Sequence, residues 1–167
     1  MILQAVLGFG SNKGNRLLYL KKAVRQLSIA DEFNLLSVSS VYESEPWGVS
    51  EQRKYYNCAA VFMCKLSASA MLRFIKDAEI RLGRTNFKKW AEREIDIDIL
   101  FLGDTVINSA GLTVPHPYIT ERNFVLVPLC EIIPYFIHPV MLKTVSYLKN
   151  KSRDRGGVKL VKGVSVV

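Results

Sequence analysis

Long apolar runs are absent. No uninterrupted stretch approaches the ~18 residues of a membrane-spanning helix, so no bilayer crossing is expected. Cysteine is scarce: Cys58, Cys64 and Cys130 stand singly among apolar neighbours. An odd count without metal-like spacing points to reduced thiols in a cytoplasm. Cys58 and Cys64 share one face of an extended run but lie too far apart along it to pair. The opening MILQAVLGFGSN has neither a basic leading region nor a small-residue cleavage site, and reads as a first strand. Internal repeats, low-complexity tracts and an interdomain linker before about residue 150 are missing. So is a familiar nucleotide loop, since GSNKGN matches neither the Walker A nor the GxGxxG pattern.

What is there suffices for one domain with a core: 167 residues, 49% of them hydrophobic. The net charge of +8 is unevenly spread. From Lys143 onward seven Lys/Arg face the single acid Asp154, so the end of the chain carries +6 and residues 1–142 only +2. The expected organisation is a domain over residues 1–150 and a solvated basic tail or linker over 151–167.

Leu3 to Phe9 reads as a central strand ending at Gly10-Ser11-Asn12. A glycine turn between strand and helix can bind phosphate through its N–H groups, or be a plain βα turn. A helix follows, with Leu17, Leu20, Val24 and Leu27 on one stripe. Phe33 to Tyr42 alternates as a second strand, broken by Pro46-Trp47-Gly48, where Trp47 is either a surface staple or part of a pocket. Tyr55 to Cys64 is the third strand, and Asn57 within it needs hydrogen-bond partners. Ser67 or Ser69 caps the next helix, Met71, Ile75, Ala78 and Leu82 form its stripe, and Gly83 stops it. Glu79 beside that stripe is either snorkelled at the rim or aimed into a site.

The stretch Ile95 to Leu100, IDIDIL, has strand period, so Asp96 and Asp98 leave one face together. Two such acids suit a solvent-facing edge strand, or a site where hard cations meet phosphate. Arg84, Lys88, Lys89 and Arg93 crowd just ahead, with Trp90 among them, and carboxylates beside cations form the inventory of a nucleotide-phosphate site. A hairpin is expected at Gly103-Asp104, with Thr105 to Ile107 returning. LTVPHP, from Leu112, is extended, holding His116 between prolines. A short helix is expected from about Val127, with Pro128 in its first turn. The β-α-β-β-α-β order gives an α+β, ferredoxin-like two-layer sandwich with an added hairpin and a C-terminal helix or tail, its first and last strands adjacent and central.

GSNKGNR, SSVYESEPWG, the run from Gln52 to Asn57, ExxxxGR from Glu79, RxIDIDIL from Arg93, LTVPHP and RNFVLVPL from Arg122 together resemble one family, the 6-hydroxymethyl-7,8-dihydropterin pyrophosphokinases. The resemblance implies a ferredoxin-like cytoplasmic enzyme of folate biosynthesis that moves pyrophosphate from ATP to the pterin hydroxymethyl group, with two Mg²⁺. It implies Asp96 and Asp98 as metal ligands, acting with Arg84 and Arg93 in catalysis. It implies Gly10, Ser44, Trp47, Tyr55, Asn57, Asp96 and Phe124 around the pterin. Lys76, Glu79, Arg84, Lys89, Trp90, Arg93, Ile99, Leu112, Thr113, His116 and Arg122 fall at nucleotide and phosphate positions. Some relatives are fused to dihydropteroate synthase. The chain departs from the pattern at Ala91-Glu92, where many relatives have glycine-proline, and at Glu45, Asn86 and Lys89. A basic RNA-binding ferredoxin-like module would share the element order and the charge. It requires aromatics in an RNP pattern, which neither YYNCAAVF nor IDIDILFL supplies.

Overall fold

The computed structural model describes residues 2–48, 51–86 and 91–167. In chain order its elements are β1 (Leu3–Ser11), α1 (Arg16–Ser28), β2 (Phe33–Val38), β3 (Tyr42–Ser44), β4 (Tyr55–Cys64), α2 (Ala68–Arg81), β5 (Asp96–Leu102), β6 (Ile107–Ser109), β7 (Leu112–Val114), a 3₁₀ turn (Ile119–Glu121), α3 (Asn123–Ile132), α4 (Val145–Lys151) and β8 (Val158–Leu160). One antiparallel sheet runs β5-β1-β4-β3-β8, with β2 also on β4; β6 and β7 form a separate hairpin.

Local chemistry sets the first half as expected. Asn15 caps α1 by accepting from the Leu18 N–H, and Ser67 caps α2 by accepting from Ala70. Leu20, Val24 and Leu27 of α1 and Met71, Ile75 and Ala78 of α2 bury their stripes against Ala5, Leu7 and Phe9 of β1 and Cys58, Ala60 and Phe62 of β4. The opposite face buries Val6, Ala59 and Val61 under Leu126 and Leu129 of α3 and Val145 and Leu148 of α4. Helices therefore lie on both faces of the sheet. A register shift between Val6 and Leu7 lets Leu100 and Phe101, consecutive in β5, both join the α3 side.

Five expectations are corrected. The first and last strands of the core are adjacent, but β5 pairs with β1 alone and is an edge of the sheet. The single second strand is two: Ser39 bonds Ala59 through its own N–H and hydroxyl, interrupting the ladder between β2 and β3. The segment after Gly103 does not return along β5. The His116 N–H donates to the Leu100 carbonyl on that stretch of edge, and β6 pairs with β7 instead. Helix α3 starts four residues before the expected Val127, which puts Pro128 inside it. Its first N–H is held by Asp154, a carboxylate too distant in sequence to read as a cap. Finally, the basic end is no loose tail: β8 pairs with β3 and Val166 is buried.

Phe62 is fully buried between β4 and the two helices. Phe62→Ala is expected to lower the unfolding free energy by about 3–5 kcal/mol, transfer and cavity costs together. Urea unfolding measures it, and a loss below about 1 kcal/mol would contradict this packing.

Candidate active site

The α3-facing side of β5, β1 and β4 carries the site. Cross-strand register puts Asp96 opposite Gly10 and Gly10 opposite Asn57 in one row, and Asp98, Gly8 and Ala59 in the next. The two glycines leave a trough. A Cβ on Gly8 would meet Leu100 Cδ1 at 3.2 Å, and one on Gly10 would meet Asn57 Oδ1 at 3.2 Å. Above the trough is a cavity of about 270 Å³, walled by β3 and the loop after it, Tyr55, His116 and the start of α3.

Three carboxylates crowd one rim. Glu79 is fully buried at the end of α2; its Oε1 accepts from Ile97 N at 2.7 Å, and Oε2 meets Arg84 Nη1 at 2.6 Å and Lys76 Nζ at 3.0 Å. The same Arg84 Nη1 reaches Asp96 Oδ1 at 2.7 Å, and Arg93 Nη1 binds Asp96 Oδ2. Burial, partly offset by Lys76, raises the Glu79 pKa. Asp98 is placed differently. Among the described residues no hydrogen bond or ion pair reaches its carboxylate, and burial with Asp96 alongside pushes its pKa up to about 7.

Asn12 positions Arg93. Its side-chain Oδ1 accepts from Arg93 N at 2.8 Å and its own N–H donates to Arg93 O at 3.1 Å. The GSNKGN turn therefore serves as a clamp on the 91–94 segment, with Lys13 paired to Glu94.

At the other end, Asn57 Nδ2 donates to Ser44 Oγ at 2.9 Å, which leaves its carbonyl oxygen toward Gly10. The Arg122 guanidinium lies 4.6 Å from the Trp47 ring, 4.7 Å from Tyr118 and 5.6 Å from Phe124. Its Nε is buried without a hydrogen-bond partner among the described residues, and burial lowers its pKa. His116 Nδ1 accepts from Tyr118 N at 3.3 Å, so Nε2 carries the proton. Burial, reinforced by Arg122, holds its pKa down at about 4, which keeps the ring neutral.

The cavity thus collects Gly10, Ser44, Trp47, Tyr55, Asn57, Phe124, Arg93, Asp96, Asp98, His116 and Arg122 of the expected residues. Arg84, Glu79 and Lys76 stand behind Asp96. Ile99 faces the opposite side of the sheet, and Leu112 and Thr113 lie on the outer hairpin, so none of the three lines the cavity. Lys89 and Trp90 fall outside the described residues. Glu79 is buried rather than snorkelled at the rim, and Trp47 lines the cavity. Missed by sequence were Gly8, Asn12 and Tyr118; only Gly8 gave a signal, a second glycine two before Gly10 on one strand face.

Two adjacent carboxylates, one of them bonded by none of the described residues, fit a hard divalent cation. Among the described residues no cluster of three or more His, Cys, Asp or Glu offers a fuller protein cage.

A profile of the 7,8-dihydro-6-hydroxymethylpterin-pyrophosphokinase (HPPK) family matches residues 6–134. The 2-amino-4-hydroxy-6-hydroxymethyldihydropteridine pyrophosphokinase of Aquifex aeolicus is 41% identical over 86% of this chain and 88% of its own length. The folic acid synthesis protein FOL1 of Dictyostelium discoideum is 36% identical over 91% of this chain but only 23% of its own length. Among solved structures, wild-type HPPK-DHPS of Plasmodium falciparum with pteroate superimposes with a TM-score of 0.75 at 18% identity, covering 90% of this chain and 42% of that one. That likeness is one of fold.

Asp98 titrates from its ordinary 3.8 to about 7 on folding. The folded state then binds the extra proton between those values, so metal-free stability falls as pH rises toward 7 and levels off above it. Asp98→Asn removes this slope. In denaturant unfolding with chelator, the variant should gain on the order of 2 kcal/mol over wild type between pH 5 and pH 8. A pH-independent difference would contradict the assignment.

Proposed function

The chain belongs to the 7,8-dihydro-6-hydroxymethylpterin-pyrophosphokinase (HPPK) family, and from that premise we propose that it transfers pyrophosphate from ATP to the hydroxymethyl group of 6-hydroxymethyl-7,8-dihydropterin, a step of folate biosynthesis. The observation that carries the site assignment is the Asp98 carboxylate, bonded by none of the described residues, beside the arginine-held Asp96, in a cavity whose far end is aromatic.

The pterin lies between Tyr55 and Phe124, which present flat faces to a flat bicycle. Asn57, oriented by Ser44, and Gly10, which adds no side chain, set its edge. Such buried amide contacts discriminate more sharply than apolar shape alone. Trp47 closes the end behind Phe124. The triphosphate lies along the rim of Arg84, Arg93, Lys76, His116 and Arg122, with adenosine toward Ile99, Leu112 and Thr113 on the outer side of β5. Lys89 and Trp90, outside the described residues, are assigned to the nucleotide by the family resemblance alone. Asp96 and Asp98 would hold two Mg²⁺, which when bound neutralise phosphoryl charge and make the attacking hydroxyl more acidic.

The hydroxymethyl oxygen attacks the β-phosphorus, the bond from that phosphorus to the α-phosphate bridging oxygen breaks, AMP departs, and the hydroxyl proton passes to solvent. Arg84 and Arg93 neutralise charge on the phosphoryl oxygens. Glu79 keeps Arg84 aimed, and Asn12 keeps Arg93 aimed. His116, neutral and protonated on Nε2, donates a hydrogen bond to phosphate; its Nδ1 is already occupied, so it is no base.

The core β5-β1-β4-β2 with its two crossover helices supports a ferredoxin-like description within the larger sheet. An RNA-binding role finds no support: two acids and two glycines occupy the sheet face that would have to stack bases. Action in the cytoplasm is part of the proposal, supported by three free cysteines and by the absence, among the described residues, of a helix long and apolar enough to cross a membrane. Association with dihydropteroate synthase is suggested by the HPPK-DHPS neighbours, of whose length this chain spans less than half.

AMP should form from ATP only when both the hydroxymethyl-dihydropterin and Mg²⁺ are supplied. Asp98→Ala should lower kcat by on the order of 10³ or more. AMP release without pterin, or near-normal turnover of the variant, would refute the proposal.

A further inference from the structure

The family match ends at residue 134, yet two walls of the cavity are fastened by residues beyond it. Helix α3 receives no side-chain cap from its own flanking residue, Arg122. Asp154 supplies the acceptor instead. Its Oδ2 accepts from Asn123 N at 2.7 Å, and its carbonyl accepts from Asn123 Nδ2 at 3.0 Å. A carboxylate at a helix N-terminus also complements the helix dipole. The other oxygen, Oδ1, accepts from Gly156 N at 2.8 Å, just before β8, and Ser152 Oγ accepts from Asp154 N at 3.2 Å. One side chain therefore ties the first residue of α3, next to Phe124, to the strand that follows.

That strand holds the second wall. β8 pairs with β3 in the register Ser44↔Val158, Glu43↔Lys159 and Tyr42↔Leu160. Without it, the three residues of β3 would form a bare edge held by β4 alone. Ser44 is the residue that orients Asn57. Trp47 and Phe124 form the partition between the main cavity and a second cleft, whose far wall is residues 154–158.

We propose that Asp154, with β8, positions the acceptor side of the active site: it sets the Phe124 face through α3 and the Ser44–Asn57 pair through β3, without touching substrate. This rests on the reading that the pterin lies between Tyr55 and Phe124. Arg84 and Arg93 of the nucleotide rim are fixed independently, by Glu79 and Asn12, which leaves Arg122 as the one rim residue next to the Asp154 contact. A positioning role therefore separates the two ligands, whereas a merely structural role weakens both.

The test measures equilibrium binding of 6-hydroxymethyl-7,8-dihydropterin and, separately, of a non-hydrolysable ATP analogue with Mg²⁺. Asp154→Ala should weaken the pterin about tenfold and the nucleotide less than about twofold, with KM for pterin raised more than kcat is lowered. Asp154→Asn, which retains one acceptor oxygen, should recover part of the loss. Gly156→Ala provides a milder perturbation in case Asp154→Ala fails to fold, because its Cβ would press on Asp154 Oδ1 at 3.1 Å; it should shift the pterin in the same direction. Unchanged pterin affinity in these variants, or equal losses for both ligands, would overturn the inference. Failure of the wild-type protein to bind the pterin would instead overturn the underlying assignment.

Discussion

Two like charges on one face of an edge strand constrain everything around them. Asp96 and Asp98 are two residues apart in β5, about 7 Å along the strand. The protein treats them unequally. Asp96 is matched oxygen by oxygen to Arg84 and Arg93. Among the described residues Asp98 receives no such partner, and burial beside Asp96 raises its proton affinity. The asymmetry defines a direction. The two arginines bond Asp96, whereas Asp98 feels Lys76 and Arg122 only through their longer-range charge. Glu79 makes the arrangement rigid, because one buried carboxylate holds the end of α2, the Arg84 head and the backbone of β5. A buried, multiply bonded ion network of this kind contributes more to geometry than to stability.

The cavity exists because of what the sheet omits. Gly8 and Gly10 remove two side chains from the row between the acids and Asn57, and α3 roofs only part of that face. Where α3 packs closely, Leu126 and Leu129 close the core; where it begins, Phe124 and Arg122 overhang the trough. Pro128 belongs to this arrangement. Inside the helix it withholds the N–H that would have bonded the Phe124 carbonyl, and its ring lines the pocket.

Local signals made the first half of the fold legible. The apolar run Tyr55 to Cys64 matches β4 residue for residue, and of the two serines expected to cap α2 it is Ser67 that does so. Failures came wherever a distant group overrode a local one. Ser39 ends β2 by bonding across to Ala59, the His116 N–H bonds the Leu100 carbonyl on the edge of β5 where a hairpin was expected, and Asp154 starts α3 earlier than its apolar sequence suggests. The basic end looked like tail because charge was read without the short Val158–Leu160 pairing. The acid pair, Asn57 and Trp47 were visible as anomalies of residue type. Asn12 was not, because an asparagine in a turn looks the same whether it closes the turn or clamps a partner 81 residues away.

The departures from the family pattern can be weighed in the same terms. Glu45 pairs with Lys54 at the surface, where such a pair contributes little. Asn86 meets Arg84 through its backbone carbonyl, a contact any side chain at that position would permit. Ala91 and Glu92 differ in kind. Ala91 lines the cavity, and Glu92 Oε1 accepts from Arg53 N at 3.3 Å, one residue before Arg93. The family pattern read from the resemblance has glycine-proline at these two positions, and a proline ring would fix φ through covalent geometry. Here the approach to Arg93 is held by a hydrogen bond to an exposed backbone group and by the Asn12 clamp. Exposed bonds of this type are worth about 0.5–1.5 kcal/mol, so the restraint on Arg93 rests chiefly on the fully buried Asn12. The turn after β1, with no phosphate-loop pattern, thereby acquires its place in the site: it fixes one of the two arginines that face the acid pair.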